Sequence, residues 1–241
     1  MTTLSCTSRF MSGLSLVAFL LPVAMFAQTI IGSGKVLTET RDLKGIEEIV
    51  VEGSVKIMIQ QSDDEKVVVT TDDNVMPNVI TKLNGNQLTI DLQGRMKKVK
   101  KMEVTVYLKK WTSLKTHGSS DIKTEGFVDG DELKIDLQGS GNVDISVKYT
   151  NVSVVSNGSG NISLLGSANT LSAGLFGSGN LNSYNCPVSD ATVDIKGSGN
   201  INVWASSTLN ATISGSGNIK YKGSPAVSNT ISGSGTVQKE Y

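Results

Sequence analysis

One five-residue phrase recurs through the second half of the chain. It is Gly139-Ser140-Gly141-Asn142-Val143, then Gly158-Ser159-Gly160-Asn161-Ile162, Gly177-Ser178-Gly179-Asn180-Leu181, Gly197-Ser198-Gly199-Asn200-Ile201 and Gly215-Ser216-Gly217-Asn218-Ile219, with an altered last copy at Gly233-Ser234-Gly235-Thr236-Val237. The first glycines of successive copies are 19, 19, 20, 18 and 18 residues apart. A near-constant period of this length means stacked units, each too small to bury its apolar face alone.

The residues leading into each copy alternate with a period of two, the spacing of a strand with one buried face. Leu133, Ile135 and Leu137 precede Gly139; Leu171, Ala173 and Leu175 precede Gly177; Ala191, Val193 and Ile195 precede Gly197. A second short strand follows each phrase, such as Ile201-Asn202-Val203, so each unit reads as strand, Gly corner, strand, polar loop. A helical repeat is excluded, because it needs a 3.6-residue apolar period and good helix formers in place of Gly, Ser, Asn and β-branched residues. A propeller blade needs about twice the length. The fold class that remains is all-β. Regular coils of 18–20 residues stack at roughly 4.8 Å into a parallel β-helix, right-handed by the preference of parallel crossovers.

The corner residues have structural reasons to recur. Glycine at Gly139, Gly141, Gly158, Gly160, Gly177, Gly179, Gly197, Gly199, Gly215 and Gly217 permits positive φ or close backbone approach. Asn142, Asn161, Asn180, Asn200 and Asn218 tolerate the same bend, and their amides can bond to the coils above and below. A structural ladder is the expected role, since every coil carries the same residue. A corner resets the strand parity, so the pattern leaves open whether the ladder faces inward or outward.

Upstream, residues 1–27 read as a secretory signal peptide: Arg9, an apolar run from Leu14 to Phe26, and Ala27 as a small residue for cleavage. The run is too short for a committed membrane span, so none is expected after cleavage. Residues 28–241 are expected to form one β-helix domain, with irregular coils over 28–116 and regular ones over 117–241. The location implied is outside the cytoplasm: periplasm, cell surface or medium. Only Cys186 follows the signal, so no internal disulfide can close, and it reads as a small semi-buried filler. Lys and Arg number 22 against 22 Asp and Glu, which provides no bulk attraction to nucleic acid.

In the first half the pattern is worn. Ile31-Gly32-Ser33-Gly34-Lys35-Val36 looks like an eroded copy of the phrase, and Ile49, Val51, Gly53, Val55, Ile57 and Ile59 alternate. Asp72, Asp73 and Asn74 are expected to cap one short helical turn carrying Val75, Met76 and Val79. Residues 79–83 and 88–92 flank Asn84-Gly85-Asn86 as a hairpin. Leu88-Thr89-Ile90-Asp91-Leu92-Gln93-Gly94 nearly copies Leu133-Lys134-Ile135-Asp136-Leu137-Gln138-Gly139, which ties the two halves together. Gly118-Ser119-Ser120-Asp121-Ile122 opens the regular array, and Lys239-Glu240-Tyr241 is placed to blunt its far end.

Few residues point to chemistry. His117 is the only histidine and has no nucleophile and carboxylate at triad spacing. The Gly-rich phrases lack the Lys-Ser/Thr ending of a phosphate loop and carry Asn where a calcium-binding nonapeptide has Asp. No cofactor or metal is therefore expected, and the acidic pairs read as caps and solvated turns. Trp111 and Trp204 are expected to be packed. The sharpest electrostatic feature is Arg95, Lys97, Lys98, Lys100 and Lys101, five basic residues in seven positions. They read as a solvated loop between strands, or as a contact for an anionic polymer.

The tandem GSGN phrases, the L-x-I-x-L-x-G strands before them and the segment from Arg41 to Gln61 resemble the GIN domain family, the head domain of autotransporter-like adhesins, over about Lys35 to Tyr241. The resemblance implies a β-helical exported bacterial protein with an adhesive role and no catalytic residues to carry over. This chain departs from the family pattern at Asp121, at Thr236 and at Lys110-Trp111. The expected function is that of an exported, non-enzymatic structural or adhesive surface module, its partner a glycan or other cell-surface component. The rival readings are a β-helix protein that binds or cleaves polysaccharide, and an anionic-polymer binder acting through residues 95–101.

Overall fold

The computed structural model describes residues 29–241, and the segment 1–27 read as a secretory signal lies outside them. The strands, in chain order, are β1 (Thr29–Ile31), β2 (Val36–Arg41), β3 (Glu48–Gly53), β4 (Lys56–Gln61), β5 (Lys66–Asp72), β6 (Val79–Asn84), β7 (Gln87–Leu92), β8 (Arg95–Lys97), β9 (Met102–Leu108) and β10 (Ser113–Gly118). They continue as β11 (Asp121–Thr124), β12 (Val128–Gly139), β13 (Asn142–Gly158), β14 (Asn161–Gly177), β15 (Asn180–Gly197), β16 (Asn200–Gly215), β17 (Asn218–Lys222), β18 (Ala226–Gly233) and β19 (Thr236–Lys239).

From β10 onward the chain is a parallel β-solenoid. Each long strand leaves one Gly corner, runs along one face, bends and returns along the other, so the polar loop expected in each unit is only a bend. In β13 the bend is Thr150-Asn151, where two consecutive side chains point outward. Register holds on both sides of the Gly corners, with bulges confined to the bends of β14 and β15: Ile122, Val143, Ile162, Leu181, Ile201 and Ile219 form one inward column, and Ile135, Val154, Ala173, Val193 and Ala211 another. One continuous core of buried aliphatics results, reaching back to Ile46 and Ile49 in the first half. Burial of like on like is what fixes the coil length, because a one-residue slip would turn every inward side chain out.

The corner glycines stack as Gly53, Gly118, Gly139, Gly158, Gly177, Gly197, Gly215 and Gly233. All have positive φ, from 98° at Gly53 to 155° at Gly177. A Cβ on Gly158 would collide with the carbonyl oxygen of Gly139 one coil back, the acceptor for Ser159 N at 3.0 Å and Gly160 N at 3.2 Å. Where the first copy lacks its second glycine, the Ser120 hydroxyl donates to Gly53 O (3.0 Å) and accepts from Val55 N (3.1 Å). The imperfect copy is thus a working corner.

Coils in the first half do not follow chain order. β3 and β4 form a coil directly against β10 and β11, and β7 and β9 form the next one outward. The order arises because β6 and β7 make the expected hairpin and fold back. The near-copy at Leu88 therefore lies two residues out of register: Leu88 aligns through Ile49 and Leu114 with Ile135, not Leu133. Gly94 consequently misses the corner stack, and the chain leaves the coil at Gln93 and rejoins it at Met102.

Antiparallel strands close this end, β6 on β7 and β5 followed by β2 on β9. Arg41 of β2 reaches across to donate to Val79 O (2.6 Å) and Thr81 Oγ1 (3.0 Å), joining the two lids. Two expectations fail here. The segment Ile31–Val36 is no solenoid corner, because β2 runs antiparallel. The helical turn, a single 3-10 turn at Met76–Asn78, has Val75 at its N-cap and no side-chain cap. Asp72 is instead buried in the lid and accepts from Gly34 N (2.7 Å) and Lys100 N (3.1 Å), while Asp73 and Asn74 bind Ser33.

At the other end β18 pairs only with β16 among the described residues, and its inward positions Val227 and Ile231 stay 38% and 42% exposed. The tail does not blunt this edge. It runs along the neighbouring face, where Glu240 N donates to Tyr221 O (2.8 Å).

Candidate binding surface

The asparagines after each corner point outward and hydrogen-bond from coil to coil. Asn142 Nδ2 donates to Asp121 Oδ1 (2.8 Å), Asn161 to Asn142 (3.1 Å), Asn180 to Asn161 (2.9 Å), Asn200 to Asn180 (2.9 Å) and Asn218 to Asn200 (3.2 Å). Thr236 Oγ1 completes the series on Asn218 Oδ1 (2.8 Å). Every donor points the same way, so the bond dipoles add, and the chain ends on the one ionised acceptor, the Asp121 carboxylate, where a charge-assisted bond is strongest. A carboxamide has two N–H groups, and the ladder uses one of them on each Asn. The other remains for a partner.

Two residues along lies a parallel outward column, Ser163, Asn182, Asn202, Lys220 and Gln238. A groove of about 650 Å³ runs between these columns and a wall made by Tyr184 and Glu240, lined by Asn180, Asn200, Asn218 and Thr236 on the ladder side. A shallower stretch of about 310 Å³ continues it past Asn161 and Ser163 toward Asp144. Tyr184 is fixed at both ends: its hydroxyl donates to Glu240 Oε2, and the Lys222 ammonium sits 4.7 Å from its ring centre. Burial and the Glu240 carboxylate both push the Tyr184 phenol upward, so it stays a donor, and the same bond holds the Glu240 carboxyl below its ordinary range. Lys220 is 3.9 Å from Glu240, which leaves this floor near neutral.

The basic cluster lies at the opposite end and is no free loop. β8 pairs in parallel with β1, Gly32 N donates to Lys97 O (3.0 Å), and buried Asp72 holds Lys100 N. Lys98 adopts φ of 52° in the tight bend. Arg95, Lys97, Lys98 and Lys100 are exposed without a carboxylate partner among the described residues, whereas Lys101 pairs with Glu103 at 3.5 Å.

A third feature comes from segments far apart in sequence. Glu48, Asp131, Glu132 and Asp136 gather with Lys110, Lys115 and Lys134 around a hollow of about 570 Å³ on the other face. Lys134 pairs with Glu132 there at 3.2 Å. Glu48 comes from β3, and Asp131, Glu132 and Asp136 come from β12. His117 Nδ1 meets Glu52 Oε1 at 2.8 Å, half-exposed on the same face. Trp111 is buried as expected, but Trp204 is 42% exposed, opposite Lys222 of the next coil. Cys186 is fully buried in a bulge of β15, and burial pushes its thiol up to about 11. No group of three or more metal-ligating side chains gathers among the described residues, nor is any helix there long and apolar enough to cross a membrane.

A capped parallel β-solenoid with an amide-lined face is the class these observations define. The chain belongs to the family described as "Putative auto-transporter adhesin, head GIN domain", whose model matches residues 46–225. It is similar to the structure of a "putative adhesin" from Bacteroides fragilis, with 27% identity over 88% of this chain and all of that one, at a TM-score of 0.84. It is also similar to a "putative lipid binding protein" from Parabacteroides distasonis (25% identity, 89% of this chain and all of that one, TM-score 0.74). A "putative adhesin" from Parabacteroides merdae matches with 25% identity over the same shares, at a TM-score of 0.72. No curated protein matches the chain.

Proposed function

We propose that this protein is an exported, non-catalytic adhesive module that presents its asparagine face to a cell-surface component. The observation that carries the reading is the unbroken side-chain ladder from Asp121 to Thr236 beside the stacked Gly corners of the solenoid. Groups held rigidly before contact lose little freedom on binding, which favours a recognition surface over a mobile one. The adhesin family, the two neighbours described as adhesins and the secretory signal read over residues 1–27 support the same placement. A groove walled by amides and a phenol does not suit an acyl chain, which disfavours a lipid ligand of the kind described for one neighbour.

The test is protease shaving of intact cells followed by binding of the purified protein to fixed bacterial and host cells. Surface exposure with saturable adhesion is expected. Retention of the full-length chain in the cytoplasm, or no binding to any cell, would overturn the reading. A second reading rests on the ordered basic strand: replacing Lys97, Lys98 and Lys100 by Gln should then remove salt-sensitive binding to an anionic polymer such as heparin. Turnover of any polysaccharide would favour the catalytic alternative, with the hollow at Glu48 and Asp136 as its place.

A further inference from the structure

We infer that the groove between the asparagine ladder and Tyr184 is a binding site for an uncharged oligosaccharide lying along the solenoid axis; this rests on the adhesive reading above. The argument starts from what lines it. Asn202 and Gln238 each offer a donor and an acceptor without net charge, while Asn180, Asn200 and Asn218 add the second amide N–H that the ladder leaves over. A sugar hydroxyl is likewise both donor and acceptor, so a row of amides matches a row of hydroxyls whichever way each proton points. The amides of Asn202 and Gln238 have no side-chain partner among the described residues, and they face the groove midway between its walls.

The groove's size and direction agree with such a ligand. Its main part, about 650 Å³, lies in the range of small-molecule sites. The shallower stretch extends it along the same axis across the coils of Asn142, Asn161 and Asn180, which suits a linear chain of several units. Tyr184 supplies an aromatic wall already locked by Glu240 and Lys222, and a rigid aromatic beside adaptable amides is a common composition of recognition surfaces. An extended peptide fits less well. The groove crosses the strands, and β15 to β17 are paired on both sides; the one open edge, on β19, lies at the groove's end, where an added strand would run across it and not along it. An acidic glycan would need cations, and Lys220 and Lys222 are already placed against Glu240 and Tyr184.

The experiment is a glycan array carrying neutral hexose and N-acetylhexosamine oligomers beside sialylated, uronate and sulfated ones, probed with the exported protein. Titration of the neutral oligomers that bind follows, read by tryptophan fluorescence, because Trp204 is exposed opposite Lys222, whose ammonium sits over the Tyr184 ring, whereas Trp111 is buried. Neutral oligomers should bind and stay bound at about 0.5 M salt, where surface charge is screened. Asn202→Ala and Gln238→Ala should each weaken binding about three- to tenfold, the size of one hydrogen bond. Tyr184→Ala should weaken it further, and Lys97→Gln should leave it unchanged. Asn202→Asp, which keeps the shape and loses the donor, serves with thermal melts to separate lost contact from lost fold. No neutral binder, acidic binders only, or indifference to Asn202→Ala and Asn202→Asp would overturn the inference. Cell adhesion that persists without neutral-glycan binding sinks the groove and spares the adhesive reading; groove binding without cell adhesion does the reverse.

Discussion

Replacing one corner glycine by alanine should cost far more than its backbone angle accounts for. At Gly177 (φ 155°) an added Cβ would fall well inside 3.0 Å of the Gly158 carbonyl oxygen, the atom that accepts from Ser178 N (2.9 Å) and Gly179 N (3.2 Å). Both neighbours are backbone in a stacked coil, so neither can swing aside. To reach ordinary contact the coils must part by more than an ångström, which takes both hydrogen bonds beyond 3.5 Å. Losing two backbone bonds costs about 1–3 kcal/mol, and forcing alanine to positive φ adds about 1 kcal/mol. Gly126 is the control: it also has positive φ (79°), but nothing lies within 4 Å of its would-be Cβ. Gly126→Ala should therefore cost only the angular part, about 1 kcal/mol. Urea unfolding followed by circular dichroism and tryptophan fluorescence measures both, with agreement of the two probes checking that the solenoid unfolds as a unit. Equal midpoints for the two variants would refute the claim that coil-on-coil contact selects glycine.

Other outcomes follow from the same geometry. Asn180→Ala deletes the bond to Asn161 (2.9 Å) and both bonds from Asn200 (2.9 and 3.2 Å), and should lower stability by about 1–2 kcal/mol in urea melts; an unchanged midpoint would mean the ladder is ornamental. Thr116 sits in the inward column against Leu137 with its hydroxyl buried and unpartnered, so the isosteric Thr116→Val should stabilise by about 1 kcal/mol in the same assay. Hydrogen bonding from Lys56 (3.0 Å), aided by Lys101, holds the Glu103 carboxyl below its ordinary 4.5. Its contribution is therefore present at neutral pH and lost as pH falls below about 4.5, and the stability gap between wild type and Glu103→Gln should shrink from pH 7 to pH 3; a constant gap contradicts this. With its thiol raised to about 11 by burial, Cys186 should resist Ellman's reagent at pH 8 until urea unfolds the chain, and rapid labelling of the native protein would count against its packing.

The solenoid was legible because its cause is local and repeated: each coil carries the same inward aliphatics and the same corner. The closed end was not, since β2 and β5 pair antiparallel with strands more than one hairpin away, and nothing in Val36–Arg41 distinguishes a lid from a coil. Leu88–Gly94 misled for a related reason: its alternation is right and its identity with Leu133–Gly139 close, yet the hairpin at Asn84–Asn86 sets its register two residues off. Asp72 read as a cap because turn chemistry favours Asp there, whereas its burial beneath Gly34 and Lys100 depends on the lid that covers it. The direction of the asparagines became clear only with Ile162 and Leu164 seen inside, and the groove needed Tyr184 and Glu240, 56 residues apart, to meet.

The identity of the coils makes the molecule a ruler. Because Gly meets Gly and Asn meets Asn at every step from Gly139 to Gly215, and β13 stacks on β12 and β14 without a bulge, a coil can be duplicated there without disturbing its neighbours or the lid. Each such event moves the far tip by about 4.8 Å and adds one rung of amides. Reach and the number of recognition units would change together in fixed increments, which allows a lineage to tune both by unequal recombination alone.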